Sequence, residues 1–416
     1  MKIPPHAGAF RGKARTRGGQ RRLDRTRKNR AKCRDDPGAC GARGPDGVPG
    51  RSGDAGVRQS QQTVVLDGSY GEGGGQILRT ALGLSALTGR PLRIERVRAN
   101  RRAPGLAAQH LASVRAVAAL CDATLEGDAI GASELDFSPR SAPRAGSYTV
   151  DVAELREGGS AGSAILILQA MLLPLSFAAG PSTLLLRGGT HVSWSPPFGY
   201  ANEVWLPALR RMGLRAQIRM LRSGWYPVGE GEVEARIEGR TGAATGLDWT
   251  ERGALPEIGG RALVANLHIR IAQRMAGRAA ELLRGHSERL DIRAERLQAS
   301  CPGAGICLTA RYEGGNVGFN ALGKRGLPAE EVAETAARAF LAFEASGASV
   351  DEHLADQLLL PMALASGPSV FLCPRATSHL RTNAWVIERF GAARVAIEGP
   401  EGGPVRVTVR PAGAGG

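Results

Sequence analysis

The stretch QILRTALGLSALTGRPLRIERV (Gln76–Val97) decides how this chain is read, because its pattern returns twice. QAMLLPLSFAAGPSTLLLRGG begins at Gln169, and QLLLPMALASGPSVFLCPR begins at Gln357. Each is a glutamine, an apolar helical run, a glycine and a short strand rich in aliphatic residues. A second helix and strand follow each copy: LASVRAVAALCDATLEG (Leu111–Gly127), NEVWLPALRRMGLRAQIRML (Asn202–Leu221) and TNAWVIERFGAARVAIEG (Thr382–Gly399). Three tandem β-α-β-α-β units are therefore expected.

Their spacing is uneven. Gln76 and Gln169 are 93 residues apart, Gln169 and Gln357 188, an excess of 95. An inserted domain of about that size is expected between the second and third units, over residues 247–345. The repeats themselves would occupy 63–246 and 346–412. Within the insert, ANLHIRIAQRMAGRAAELLRG (residues 265–285) reads as strand then helix, so the insert should be α/β as well. The expected fold is a layered α/β architecture.

Composition bounds the function. The 416 residues are 43% hydrophobic and 22% charged, as in ordinary globular proteins. The net charge of +15 suggests a nucleic-acid binder until it is divided along the chain. Residues 1–62 hold 16 Lys/Arg against 5 Asp, and the remainder only 38 basic against 34 acidic side chains. Any selective basic site in the body must therefore be local. Residues 1–62 lack large apolar groups and are expected to be a disordered basic extension. Glycine recurs there every third position from Gly38 to Gly56, too briefly and with too little proline for a triple helix. The six cysteines show no metal or C-x-x-C spacing and fit reduced thiols of a cytoplasmic protein. No apolar leader opens the chain. SAILILQAMLLPLSFAAG (Ser163–Gly180) reaches membrane-spanning length, but Gln169 and Pro174 interrupt it, so a buried core helix is expected and no membrane association.

The glycine cluster GSYGEGGGQ (Gly68–Gln76) opens the first repeat helix. It has neither a Gly-Lys-Ser/Thr ending nor a G-x-G-x-x-G rhythm, so by itself it reads as a tight turn. Arg79 lies one turn into that helix, and RANRRAPG (Arg98–Gly105) places Arg98, Arg101 and Arg102 in one loop, ahead of Gln109 and His110. Guanidinium forks suit phosphate, although on charge alone the group also reads as a solvated run. GGTHVSWSPPFGY (Gly188–Tyr200) reads as a loop between units. His379, beside Ser378 at a helix start, reads by itself as a capping or surface residue, although neutral imidazole at that position can act as a nucleophile on phosphorus.

At these residues the chain resembles the RNA 3'-terminal phosphate cyclase family. LDGSYGEGGGQILRTALGLS (Leu66–Ser85), RANRRAPGLAAQHL (Arg98–Leu111), GSAGSAILILQ (Gly159–Gln169), HLADQLLLPMALA (His353–Ala365) and SHLRTN followed by VIERF (Ser378–Phe390) match its motifs in order. The resemblance implies that His379, in the family's H-x-x-T-N motif, attacks the α-phosphate of ATP. It further implies transfer of AMP to an RNA 3'-phosphate and closure of a 2',3'-cyclic phosphodiester by the adjacent 2'-hydroxyl. It places Glu72 on a divalent metal, Mg²⁺ or Mn²⁺, and Arg79, Arg98, Arg101, Gln109 and His110 near phosphate or RNA. Gln169 and the run His353, Leu354, Ala355, Asp356, Gln357 would form the ATP site, with His353 and Pro196 enclosing the adenine. The motifs specify no oligomeric state.

Several positions depart from the family pattern. SGWYPVGEGEV (Ser223–Val233) resembles the family's glycine-rich signature, with Ser223 where a basic residue is usual and Glu230 in place of the middle glycine. His353 stands where tyrosine is common, and Gly199 where an acidic residue is common. These departures bear on substrate fit and rate. A non-catalytic cyclase-like protein of the ribosome-biogenesis type would keep the fold and bind RNA or protein, but His379 with Arg79, Arg98 and Arg101 argues against it. Enolpyruvyl transferases share a related repeat fold, yet their substrate motifs are absent. A plain RNA-binding scaffold would rely on the basic extension.

Overall fold

The computed structural model describes residues 62–155 and 161–413. The expected basic extension lies outside the described residues, except for its last position. The first unit runs β1 (Val64–Asp67), α1 (Gly75–Thr88), β2 (Leu92–Glu95), α2 (Ala108–Cys121), β3 (Thr124–Glu126) and β4 (Leu135–Ser138). The second runs β5 (Ser147–Asp151), α3 (Ala164–Ser176), β6 (Ser182–Gly188), α4 (Phe198–Tyr200), one π turn (Ala201–Trp205), α5 (Leu206–Arg211), β7 (Ala216–Arg222) and β8 (Gly231–Ile237). The third opens on β9 (Asp248–Trp249). Next come β10 (Glu257–Ala265), α6 (Ile269–Leu282), β11 (Arg289–Leu297), β12 (Gly303–Tyr312), β13 (Gly315–Leu322) and α7 (Ala329–Ser346). It then resumes with α8 (Glu352–Ala363), β14 (Ser369–Cys373), α9 (Ser378–Arg389), β15 (Ala393–Glu398) and β16 (Val405–Pro411).

Three sheets have the same plan, β1-β2-β4-β3, β5-β6-β8-β7 and β9-β14-β16-β15. In each the first two strands are parallel and the others antiparallel. Each repeat therefore carries one strand more than the β-α-β-α-β pattern, an antiparallel return strand that completes a hairpin. A fourth sheet, β11-β10-β12-β13, is backed by α6 and α7 and has its own apolar core around Phe340, Val317 and Met275.

The first helix of each repeat is apolar nearly all round, the pattern of a helix packed on every side. Helix α1 packs on α2, α3 and α9, and α8 packs on α9. The run Ser163–Gly180 contains α3, buried throughout except at Gln169, and its N-terminus is capped by Ser163 Oγ, which accepts the Leu166 N–H. No helix among the described residues is long and apolar enough to cross a membrane.

Each of these buried helices has a polar exception on one side. Between Gln76 and Ala86 of α1 it is Arg79; in α3 it is Gln169; in α8 beyond its first two residues they are Asp356 and Gln357. Leaving such groups in an otherwise apolar helix is unfavourable unless they meet a partner or a ligand. All four face one cavity.

Candidate active site

That cavity measures about 1350 Å³ and lies where the repeats meet the fourth sheet. The glycine loop enters it from the first repeat, and α9 from the third. Three contacts pin them together. Tyr70 stacks on Trp385, with ring centroids 4.2 Å apart and planes 9° from parallel. Thr80 Oγ1 donates to Asn383 Oδ1 at 2.8 Å, and Asn383 Nδ2 donates to the Asp356 carbonyl at 3.1 Å. Gly71, at φ +58°, brings its backbone so close to Thr382 that a Cβ would lie 2.6 Å from its hydroxyl. The Thr-Asn of the H-x-x-T-N motif is thus a clamp holding α9 against the loop.

His379 is the second residue of α9, whose N-terminus Thr377 caps by accepting the Leu380 N–H. Its imidazole sits between two carboxylates, with Nδ1 3.3 Å from Asp356 Oδ2 and Nε2 3.3 Å from Glu72 Oε2. Hydrogen bonding to Asp356 raises its pKa above 6.5. Burial opposes this, the charges of Asp356 and Glu72 add to it, and the charge of Arg79 opposes it. The same Glu72 oxygen also pairs with Arg101 Nη2 at 3.0 Å.

The basic groups differ in how they are held. Arg98 donates to the Gly105 carbonyl at 2.7 Å, and its pKa is lowered by burial and then by Arg101. Arg79 makes no hydrogen bond or ion pair among the described residues. Burial pushes its pKa down to about 10, against the pull of Asp356, so it is still a cation at neutral pH. Arg102 is exposed and outside the cavity lining. His110 is pushed down to about 3 by burial and by Arg98, Arg79 and Arg101, so it is neutral. Its Nδ1 accepts the Ala107 N–H at 3.2 Å, which puts the ring proton on Nε2. That nitrogen faces Gly75, where a Cβ would approach it to 2.6 Å and Arg79 Nη1 to 3.2 Å. A glycine is needed there because the His110 and Arg79 side chains crowd the backbone.

Of the other expected positions, Gln109 holds the Ser163 N–H through Oε1 at 3.2 Å, and Gln169 Nε2 donates to Gln357 Oε1 at 2.9 Å. Gln76 also lines the cavity, nearly buried, with an amide nitrogen that has no hydrogen-bond partner among the described residues. It sits near the start of α1, whereas Gln169 and Gln357 lie midway along their helices, so the three glutamines are not equivalent in space. His353 and Pro196 both line the cavity, but Leu354 and Ala355 are buried in the core and do not. The His353 region is anchored by Asp351, the α8 cap. Its Oδ1 accepts from Tyr200 Oη and from the N–H groups of His353 and Leu354, and its Oδ2 from Gly318 N–H. Burial pushes the Asp351 pKa up, while the neighbouring His353 and these bonds oppose it.

Ser223–Val233 lies outside the cavity and joins the second repeat to the fourth sheet. Ser223 Oγ donates to the Gln298 carbonyl at 2.6 Å, Ser300 donates to Glu230, and Gly303 lets the backbone approach the Trp225 ring. Gly199 faces Cys307, whose sulfur would lie 3.3 Å from a Cβ there. These departures from the family pattern are packing features of that junction. Cys121, Cys301, Cys307 and Cys373 are free and buried; Cys33 and Cys40 lie outside the described residues.

Asp356, expected with ATP, lies against His379. The two are 23 residues apart across β14, and no periodicity links them. Trp194 was likewise read only as part of a loop, yet its side chain borders the cavity.

A carboxylate-flanked histidine in a cleft lined by guanidinium groups suits nucleophilic chemistry on phosphorus. Residues 70–397 match the family model described as RNA 3'-terminal phosphate cyclase. Proteins of that name include one from Methylococcus capsulatus, 55% identical over 350 residues, covering 84% of this chain and 97% of the relative. One from Nostoc punctiforme is 50% identical, covering 80% and 96%, and one from Methanopyrus kandleri is 44% identical, covering 84% and 99%. The chain belongs to the RNA 3'-terminal phosphate cyclase family. A solved enolpyruvyl transferase, NikO from Streptomyces tendae, matches at 19% identity and a TM-score of 0.24, over 43% of this chain and 33% of that one. That likeness is too weak to carry an argument.

Proposed function

We propose that this protein converts an RNA 3'-terminal phosphate to a 2',3'-cyclic phosphodiester, using ATP and a covalent histidyl-AMP. The observation that carries the reading is the Asp356–His379–Glu72 arrangement within the arginine-lined cavity. Asp356 holds the Nδ1 proton and turns Nε2 toward the cleft. Glu72 takes the Nε2 proton from the imidazolium before attack. The freed Nε2 lone pair then bonds to the α-phosphorus as the bond to pyrophosphate breaks, and Asp356 stabilises the positive charge left on the ring through Nδ1–H. An oxygen of the RNA 3'-phosphate then attacks the same phosphorus, the P–N bond breaks, and AMP passes to the RNA end. The neighbouring 2'-oxygen attacks the 3'-phosphorus, loses its proton, and AMP departs. The ribose already holds that oxygen in place, so closure is effectively unimolecular.

Arg79, Arg98 and Arg101, with the Nε2–H of neutral His110, are the donors for the crowded phosphate oxygens. His353 and Pro196 are the proposed adenine walls, and Gln76, Gln169 and Gln357 offer amides to nucleotide or ribose. The α9 N-terminus adds its positive end. Among the described residues no three His, Cys, Asp or Glu side chains form a metal cluster. Glu72 offers one carboxylate, a donor set that fits Mg²⁺ or Mn²⁺ arriving on the triphosphate better than a resident ion. Such an ion would neutralise phosphate charge beside Glu72. The fourth sheet with α6 and α7 reads as a domain carried between β9 and α8. Cysteine usage is consistent with a cytoplasmic protein.

The reading is tested with RNA ending in a 3'-phosphate. With ATP and Mg²⁺ the end should become phosphatase-resistant, releasing one AMP and one pyrophosphate per end. A folded protein that binds ATP but leaves the ends phosphatase-sensitive would overturn it.

Attack needs neutral imidazole, so the rate of adenylate formation should rise as pH passes through the raised pKa of His379. The sign for stability is opposite. The charged pairing with Asp356 and Glu72 contributes fully below about pH 6.5 and is lost as pH rises through the folded value. Asp356→Asn removes the main cause of the shift. The acidic limb should move to lower pH and the plateau rate fall about 10- to 100-fold, as when an orienting partner is lost. An unmoved limb in rapid-quench measurements would show that Asp356 does not govern His379.

A further inference from the structure

We propose that Trp194 is the stacking platform for the nucleobase at the RNA 3' end. This rests on the cyclase reading above and extends it to how the RNA is held. Trp194 is 98% exposed, yet it borders the same cavity as His379, His353 and the arginines. Its ring stacks on no other ring and makes no hydrogen bond among the described residues. Its backbone sits at φ +63°, in the left-handed region that bulky side chains rarely occupy.

The surrounding backbone is fixed. Val192 and Pro197 are buried, and Ser195 Oγ donates at 2.8 Å to Ser163 Oγ, the cap of α3. The indole projects from it, beside exposed Ser193. A conformation disfavoured for tryptophan, held by a rigid loop at the rim of a reactive cleft, points to a ligand for the ring.

Two further observations identify that ligand. The cavity, at about 1350 Å³, exceeds the roughly 300–1,000 Å³ of a single-ligand pocket, which leaves room for a nucleotide beside ATP. The adenine already has proposed walls in His353 and Pro196. An aromatic face beside phosphate-binding guanidinium groups is the arrangement that holds single-stranded nucleic acid, and stacking tolerates any base. That tolerance suits an enzyme that reads the chemistry of an RNA end.

The test compares wild type, Trp194→Ala and Trp194→Phe in two assays. In the first, α-labelled ATP without RNA measures adenylate formation, which should be the same in all three. In the second, KM for a 3'-phosphorylated oligonucleotide should rise roughly 5- to 150-fold in Trp194→Ala. Both kcat and the KM for ATP should hold, and Trp194→Phe should recover most of the loss. With an abasic terminal nucleotide, wild type and Trp194→Ala should have the same KM. An unchanged KM for RNA in Trp194→Ala overturns the proposal and leaves the ring to another partner, such as a protein. A raised KM for ATP or slowed adenylate formation also overturns it, by assigning the ring to the nucleotide. A wild type that neither takes up label nor cyclises ends removes the cyclase reading itself, and the proposal with it.

Discussion

Replacing His379 by asparagine is expected to lower turnover by roughly 10³-fold or more, because it removes the atom proposed to bond to phosphorus. The substitution is small in structural terms. His379 is partly exposed, while α9 is held by its Thr377 cap, by buried Leu380 and by the Thr80–Asn383–Asp356 hydrogen bonds. The variant should therefore fold, and above the raised His379 pKa, where the charged pairing with Asp356 and Glu72 is lost, it should melt within a few degrees of wild type. ATP binding should persist, since the proposed adenine walls and phosphate donors lie elsewhere in the cleft. A variant that retains cyclisation within tenfold of wild type would assign the chemistry to another group.

Replacing Arg79 by alanine is expected to lower kcat/KM by about 10²- to 10³-fold, the usual effect of removing one preorganised donor at a developing charge. Arg101 and Arg98 are engaged with Glu72 and with the Gly105 carbonyl, whereas Arg79 makes no hydrogen bond or ion pair among the described residues. Burial has already lowered its pKa to about 10, so the fold keeps a cation where solvent is scarce. That is unfavourable in the free protein and favourable once phosphate enters. Arg79→Met should accordingly melt at a higher temperature than wild type while losing activity to the same degree. Arg79→Lys keeps the charge but not the fork, and should recover only part of the loss. Full activity in Arg79→Ala, measured with saturating and limiting ATP, would remove this arginine from the phosphate site.

The repeats were legible because each carries a long helix of apolar residues, and a helix buried on all sides cannot hide that composition. The polar exceptions were legible for the same reason: Arg79, Gln169 and Gln357 stand out against aliphatic neighbours. The added strand of each repeat, β4, β8 and β16, was not: each alternates, but it follows the preceding strand as a hairpin with no helix between to mark a new element of the repeat. The role of Ser223–Val233 was also hidden. Glycines that permit close approach to a substrate and glycines that permit close approach to Trp225 have the same sequence signature. The Asp356–His379 pair depends on how α8 and α9 cross, which is set by Asn383 and Thr80 rather than by local pattern.

The most direct measurement is incubation of the protein with α-labelled ATP and Mg²⁺ in the absence of RNA. A histidyl-AMP predicts label on the wild-type protein that survives alkali, is released by acid, and is absent from His379→Asn. A folded wild type that binds ATP and carries no label, or label that persists in His379→Asn, would contradict it.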